Sequence, residues 1–202
     1  MRLYFSPGAC SLSPHIVLRE LGMDFQPVKV DLGSKKTEEG KDYKAVNPNG
    51  YVPALQLEDG RVLTEGPAIV QFLADKKPEA KLAPAAGTFE RAKLQEWLNF
   101  IGTEVHKTAS TLWNPSITPE VRAGAKEKLA VRLGRVDQVL ATQPFLLGEQ
   151  YSVADTYLFV ILSWSNHLQV DLTPFKHVQA FQGRVGGRPA VQAALKAEGL
   201  LK

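Results

Sequence analysis

Cysteine is almost missing from this 202-residue chain, which holds one, Cys10. A single thiol makes no internal disulfide, and no Cys/His spacing resembles a zinc site, so neither a disulfide framework nor a metal is expected. Long hydrophobic runs are missing too. The longest, Tyr157 to Leu162, falls far short of the ~20 residues needed to cross a bilayer. With one Arg2 and a break at Pro7-Gly8, the N-terminus has no signal-peptide apolar region. Charge of one sign does not dominate: 24 basic against 21 acidic residues leave +3, and the basic residues are scattered. No basic arm or patch argues for nucleic acid, and there are no internal repeats or low-complexity tracts. What is present is 44% hydrophobic and 22% charged residues, ordinary for a globular protein that buries a core as one large domain or two small ones. A reducing cytoplasm is the expected address.

The two halves differ in pattern. In residues 1–80 short apolar runs alternate with helical spacings. RLYF (2–5) reads as a strand and SLSPHIVLRELG (11–22) as a helix. Pro14 is tolerated only in a first turn, so this helix should begin between Ser11 and Ser13, and Gly22 ends it. FQPVKVDL (25–32) is a second strand, and its Pro27 predicts an edge position. VPALQL (52–57) and RVLT (61–64) flank EDG, a hairpin signal. In EGPAIVQFLADKK (65–77), Ile69, Phe72 and Leu73 keep helical spacing, with Pro67 near the start. The order βαβ, an irregular segment, then ββα predicts a small α/β layer with mixed strands.

KPEAKLAPAAG (77–87) has no period and is rich in Pro and Ala, so it reads as a linker. From Thr88 onward the pattern is helical. Over 89–113, Leu94, Trp97, Ile101, Val105 and Leu112 share one face. Thr118-Pro119-Glu120 caps and opens another helix. YSVADTYLFVILSW (151–164) places Ser152 and Asp155 as a capping box ahead of a helix apolar all round, which belongs in a bundle centre. The expected class is α/β plus all-α: a domain at 1–80, a linker at 81–87 and a helical bundle at 88–202.

Four constellations could carry chemistry. Cys10 lies in a loop just before a helix N-terminus, a placement able to lower a thiol pKa to about 3.5–7.5. A buried structural cysteine is the plain alternative, and the tight turn Ser6-Pro7-Gly8 favours a working thiol. In VNPNGYVPAL (46–55), Pro53 opens a strand after a Gly turn, a place for a cis bond that leaves backbone groups of Val52 free for a peptide-like ligand. A rigid corner explains the same residues. In LTEGPAI (63–69), Gly66 at a helix start suits a carboxylate and Glu65 an ammonium, together the α-amino-acid end of a ligand. A plain capped helix start is the alternative. Asn99, Thr103 and His106 form a polar stripe on the long helix, which a solvated face also explains. His15, His167 and His177 have no comparable company and read as structural.

Taken in order, YFSPGACSLSPHI, DLGSKKT, VNPNGYVPAL, LTEGPAI, EWLNFIGTEVHK, SVADTYLF and AFQGRVGGRPAVQ resemble the glutathione S-transferases, and more narrowly their bacterial beta class, across essentially the whole chain. The resemblance implies a thioredoxin-like N-terminal domain that binds glutathione as co-substrate, with no metal. It also implies an all-helical bundle domain contributing the pocket for a small hydrophobic electrophile. Carried over, Cys10 faces the glutathione sulfur, and Val52 pairs its backbone with the cysteinyl unit beside a cis Pro53. Glu65 and Gly66 hold the γ-glutamyl end, and Lys35 reaches the glycyl carboxylate. Asn99, Thr103 and His106 approach from the helical domain, with Glu104 reaching across a homodimer interface and His106 completing the site at the domain cleft. Trp113, Trp164 and His167 would surround the electrophile. The implied reactions are halide displacement or addition by the glutathione thiolate, with thiol–disulfide exchange or reductive dehalogenation through Cys10 as further chemistry. A non-catalytic glutathione- or ligand-binding protein of the same fold is the other class. One departure is a thin hydrophobic staple, since Tyr151 and Thr156 occupy the two stapling positions of the capping box.

Overall fold

Leu3, Tyr4 and Phe5 are all buried because their strand, β1 (Arg2–Phe5), is the middle one of five. In the computed structural model, which describes residues 1–201, the sheet runs β3-β2-β1-β4-β5. Strand β2 (Gln26–Asp31) lies parallel to β1, with Arg2 opposite Gln26 and Phe5 opposite Lys29. A parallel pair needs a crossover, and α1 (Leu12–Glu20) supplies it. On the other side β4 (Ala54–Gln56) runs antiparallel to β1, and β5 (Val62–Thr64) returns beside it. The predicted hairpin and the helix α2 (Gly66–Lys76) that follows are both present.

The predicted edge position of β2 needs correction. A two-residue strand, β3 (Lys36–Thr37), pairs with Val30 and Asp31 and takes the sheet edge. Pro27 is still accommodated, because it pairs with Leu3 on one side and lies outside the β3 register on the other. A proline needs only one ladder without its N–H, and here it has one.

The segment between β3 and β4, irregular in the sequence reading, is organised around Tyr43. This residue is fully buried in one turn of 3-10 helix, Tyr43–Ala45. Its hydroxyl donates to the Tyr51 carbonyl at 2.7 Å, and the Asn47 side-chain amide donates to the same oxygen at 2.7 Å. Both bonds fix the backbone immediately before Val52.

The chain divides into two compact units, Met1–Ala80 with the segment from Gly187 onward, and Lys81–Gly186. The expected helical domain over 88–202 differs from this division in its last residues, which group with the first unit. Helix α9 (Pro189–Ala197) packs on α1 and buries Val191 and Ala194. Polar ties reinforce this apolar contact. Arg188 donates twice to Glu20, at 2.6 and 3.0 Å, and Glu198, fully buried, meets His15 Nδ1 at 2.7 Å.

The second unit holds α3 (Phe89–Phe100), α4 (Lys107–Thr111), α5 (Pro119–Leu140), α6 (Val153–Leu162), α7 (Ser165–Leu168) and α8 (Lys176–Gly186). Thr88 and Thr118 cap α3 and α5 through their hydroxyls, as the sequence predicts. Every residue of α6 is buried, as its all-round apolarity requires. At its start Asp155 accepts from the Ser152 N–H at 2.8 Å, the Ser152 hydroxyl at 2.7 Å and the Leu146 N–H at 2.8 Å. The thin staple is replaced by a hydrogen bond: the hydroxyls of Tyr151 and Thr156 meet at 2.7 Å.

The helix expected over 89–113 is not uniform. Between α3 and α4 the chain forms a π turn, Ile101–His106, in which the Lys107 N–H reaches back to the Gly102 carbonyl. The Thr103 hydroxyl donates to the Asn99 carbonyl at 2.9 Å and so competes for an acceptor of the regular helical ladder. The apolar face survives this widening, with Leu94, Trp97, Ile101, Val105 and Leu112 all buried.

Candidate active site

In the first unit the candidate residues gather around one backbone corner. The turn ahead of α1 is held by Ser11, whose hydroxyl accepts from the Ser6 N–H at 3.1 Å and donates to the Ser6 carbonyl at 3.3 Å. It is also held from the C-terminal segment, where Glu198 accepts the Gly8 N–H at 2.9 Å. The turn delivers Cys10 to the Val52 carbonyl, to which the thiol donates at 3.3 Å. The peptide bond between Val52 and Pro53 is cis. The Val52 N–H finds no hydrogen-bond acceptor among the described residues. Gly66, opening α2, approaches Pro53 closely enough that a Cβ there would touch the proline ring at 3.9 Å. Glu65 precedes it in a left-handed conformation, φ 68°, and its carboxylate makes no cap bond to α2. Lys35 reaches the same corner from the other side, donating to the Gly50 carbonyl at 3.0 Å and lying over the Tyr51 ring at 5.7 Å.

The protonation of Cys10 differs from the sequence expectation. Burial pushes the thiol up to about 11. The N–H groups of Cys10 and Ser11 favour the thiolate, the Glu65 carboxylate disfavours it, and desolvation outweighs both donors. The donors at the helix terminus act in the expected direction, and the cost of burying the charge is larger. Cys10 is a neutral S–H donor here, not a preformed thiolate.

In the second unit the expected stripe falls on and beside the π turn. Asn99 and Thr103 are exposed, and the Thr103 hydroxyl is engaged by its own helix. Glu104, expected to reach outward to glutathione, is paired within the chain: Arg132 donates to one of its oxygens from Nε at 3.0 Å and from an Nη at 2.8 Å. His106 is half-buried, with Nδ1 at 2.6 Å from the Tyr157 hydroxyl. Its ring meets Tyr157 and Trp164 edge-on, with centroids 5.8 and 5.1 Å away. Burial, and secondarily the Lys107 cation, push its pKa down to about 4, so the imidazole is neutral at physiological pH. Trp164 continues to Trp113 at 5.9 Å, and Trp113 stacks on His167 at 4.7 Å. This forms a run of rings with Trp113 and His167 exposed.

Sequence reasoning missed Ser11, Tyr157 and Glu198. Tyr157 carried a usable signal, being a hydroxyl beyond the capping residues of an almost entirely apolar helix, one that must find a polar partner when buried. Glu198 carried none, since nothing local distinguishes it from a surface acid.

The family profile described as Glutathione S-transferase, N-terminal domain, matches residues 8–76, and that described as Glutathione S-transferase, C-terminal domain, matches residues 101–189. The chain is 45% identical to glutathione S-transferase GstA of Escherichia coli O157:H7 over 99% of its own length and 100% of that protein's. The ternary complex of BphK, a bacterial GST, superposes with a TM-score of 0.98 at 61% identity, covering 99% of this chain and 100% of that one. A sphingomonad glutathione S-transferase complexed with glutathione superposes at 0.96 with 47% identity over 100% of both chains. The chain belongs to the glutathione S-transferase family.

Proposed function

We propose that this protein joins the thiolate of glutathione to small hydrophobic electrophiles, as a homodimeric cytoplasmic enzyme of the bacterial beta class without a metal. The observation that carries the reading is the corner at Val52. An unpaired backbone N–H, a neutral thiol bonded to the adjacent carbonyl, and an open helix start against the cis proline stand together in one unit. An unpaired N–H at an extended corner is what a peptide backbone pairs with, and a tripeptide thiol presents both a backbone and a sulfur. Gly66 offers one of the helix's unpaired first donors and Glu65 a carboxylate without a cap bond. These suit the α-carboxylate and ammonium of the γ-glutamyl end. Lys35 suits the glycyl carboxylate.

The glutathione thiol loses its proton to solvent, and the bound sulfur attacks an electrophilic carbon. In displacement a carbon–sulfur bond forms as halide leaves with its electron pair. In addition the carbanion formed takes a proton from water. Each unit by which the bound thiol's pKa falls needs about 1.4 kcal/mol of preferential stabilisation of the anion. A single hydrogen bond to a charged acceptor supplies about 1.5–3 kcal/mol. The Cys10 thiol supplies such a donor by turning from the Val52 carbonyl to the anionic sulfur. Its raised pKa supports this role over that of a nucleophile in disulfide exchange. The ring run Trp164–Trp113–His167 supports a flat, apolar partner as the electrophile.

The test is the initial rate of glutathione conjugation to a chloronitrobenzene, against the uncatalysed rate at the same pH. A clear enhancement is expected. Glutathione binding without enhancement would favour a ligand-binding protein of the same fold.

A further inference from the structure

Val52 offers a ligand one backbone N–H, and the direction of that N–H is a property of the peptide plane it shares with the Tyr51 carbonyl. The Tyr51–Val52 bond is trans, so its N–H and C=O point in opposite directions within one rigid plane. Whatever holds the oxygen therefore aims the hydrogen. The flanking residues do not hold it. Gly50 precedes with φ 66° and no side chain, and the Tyr51 side chain is 70% exposed. Val52 is anchored by its buried side chain, which leaves the plane able to turn about the soft dihedrals at its two ends.

Two side chains hold the oxygen from inside the first unit. The Tyr43 hydroxyl and the Asn47 side-chain amide each donate to it at 2.7 Å. A carbonyl oxygen only accepts and has two lone pairs, so both partners must be the donors and together they fill it. The Asn47 amide is oriented further by its own oxygen, which accepts the Asn49 N–H at 3.2 Å. Tyr43 is fully buried and Asn47 is 4% exposed, so water does not compete at the clamp. Burial also pushes the Tyr43 phenol up to about 12, which keeps its proton in place throughout the neutral range. Spacing brings the pair together. They stand four residues apart, and the Asn47 N–H bonds the Tyr43 carbonyl at 3.0 Å, which sets their side chains on one face. The same pair ties in Lys35. The Tyr43 N–H donates to the Lys35 carbonyl at 2.8 Å, and the Asn47 carbonyl accepts from Gly50, whose own carbonyl receives the Lys35 ammonium.

We propose that Tyr43 and Asn47 are positioning residues for glutathione: by clamping the Tyr51 carbonyl they turn the Val52 N–H away from themselves and hold it ready for a backbone carbonyl of the tripeptide. This rests on the reading of the Val52 corner given above, in which neither residue touches the ligand. An N–H that must first be turned into place loses part of its binding to that ordering, and the clamp removes the loss. Backbone pairing is the same before and during the reaction at sulfur. The clamp therefore strengthens substrate and transition state alike, lowering KM and leaving kcat as it is.

The experiment measures, by calorimetry on the full chain, the affinity for S-methylglutathione, which keeps the tripeptide backbone and has no ionisable thiol. Steady-state kinetics with glutathione and a chloronitrobenzene run beside it. Tyr43→Phe and Asn47→Ala each remove one donor to the oxygen and should weaken S-methylglutathione binding about two- to tenfold, the worth of one ordinary hydrogen bond. KM for glutathione should rise by a similar factor, with kcat within about twofold of the parent. In proton–nitrogen spectra of the 15N-labelled chain, the Val52 amide proton should move downfield as S-methylglutathione saturates the unaltered protein, and move less in either variant. Glu20→Gln weakens the tie to Arg188 in the same unit. It controls for general loosening and should leave the affinity unaltered. Each variant decides alone, so the failure of one to fold leaves the test standing. Unchanged affinity in a folded Tyr43→Phe or Asn47→Ala overturns the proposal, as does an equal loss in Glu20→Gln or a saturated parent whose Val52 amide has not moved. No binding of S-methylglutathione by the parent overturns both the proposal and the reading beneath it. Binding that moves the Val52 amide without any conjugation overturns the transferase reading alone, and the affinities still decide the clamp.

Discussion

Replacing Glu198 with alanine should loosen the first unit more than any single change on its surface. The carboxylate is fully buried with His15, which is 1% exposed. Arg19 Nε donates to His15 Nε2 at 3.0 Å, so the imidazole proton sits on Nδ1 and is given to Glu198 at 2.7 Å. The second carboxylate oxygen takes the Gly8 N–H at 2.9 Å. The guanidinium thus balances the buried acid through a neutral ring, itself packed edge-on between Phe5 and Phe25. Alanine leaves the His15 N–H and the Gly8 N–H without their acceptor, at ~1–3 kcal/mol each. It also removes the acid that Arg19 balances, and breaking a buried charged network of this kind costs about 3–5 kcal/mol. We take ~4 kcal/mol as the expectation. At roughly 2–4 °C per kcal/mol for a chain of this size, Tm should fall by about 8–16 °C. Thermal unfolding followed by circular dichroism measures it. Removing both partners in His15→Leu/Glu198→Ala should cost less than the sum of the single changes by at least ~1 kcal/mol. A Glu198→Ala protein within ~1 kcal/mol of the parent, or strictly additive losses, would refute the reasoning.

The remaining predictions concern titration and capping. His106 should show no protonation step near its ordinary value. Its folded pKa of about 4 lies below that of the unfolded chain, so its contribution to stability is present above about pH 6.5 and is lost as pH falls through about 4. Proton NMR of the ring resonances checks the step, and urea midpoints between those pH values check the linkage. Cys10→Ala should lower the conjugation rate by about 10- to 150-fold, the loss of one donor to an anion worth about 1.5–3 kcal/mol. In the parent, alkylation of Cys10 by iodoacetamide should stay slow until pH approaches the thiol's value of about 11. Rapid alkylation at neutral pH would contradict the buried, protonated thiol. Asp155→Ala deprives three donors of their acceptor and should destabilise the second unit by ~3 kcal/mol or more, read as an early loss of helical circular dichroism. Burial also raises the Asp155 pKa to about 6, so the burial term favours folding below about pH 3.8 and is withdrawn as pH rises through about 6. Thr156→Val, which removes the hydroxyl bonds to Tyr151 and to the Ser152 carbonyl, should cost ~1–2 kcal/mol by the same assay.

Much of this was legible because the relevant forces are local. Thr88 and Thr118 announce helix starts by capping chemistry. The buried face Leu94, Trp97, Ile101, Val105 and Leu112 follows from periodicity, and Pro53 and Gly66 mark the corner by what they cannot do or do not carry. What stayed hidden is tertiary. The thiol's protonation depends on how much water the fold removes from Cys10, a quantity no local pattern contains, so the helix-terminus argument gave the opposite sign. Assignment of the C-terminal segment depends on α1 meeting α9, and the partner of His15 stands 183 residues away. His15 looked merely structural for that reason. The π turn inserts no unusual residue type. The Thr103 hydroxyl, which bonds the Asn99 carbonyl beside that turn, looks from the sequence like any threonine on an exposed helix face. In the same way the resemblance sent Glu104 across a homodimer interface, and only the packing of α5 brought Arg132 to it.

The central claim is that the first unit binds glutathione at the Val52 corner and stabilises its thiolate, with Cys10 as a neutral donor. Its most direct test is the ultraviolet absorbance of thiolate when glutathione is titrated against pH on the protein, compared between the parent and Cys10→Ala. The account predicts a thiolate signal from bound glutathione whose midpoint lies well below that of the free thiol in both proteins, shifted upward only modestly without Cys10. A signal that vanishes with Cys10, or a bound thiol that titrates like the free one, would contradict it.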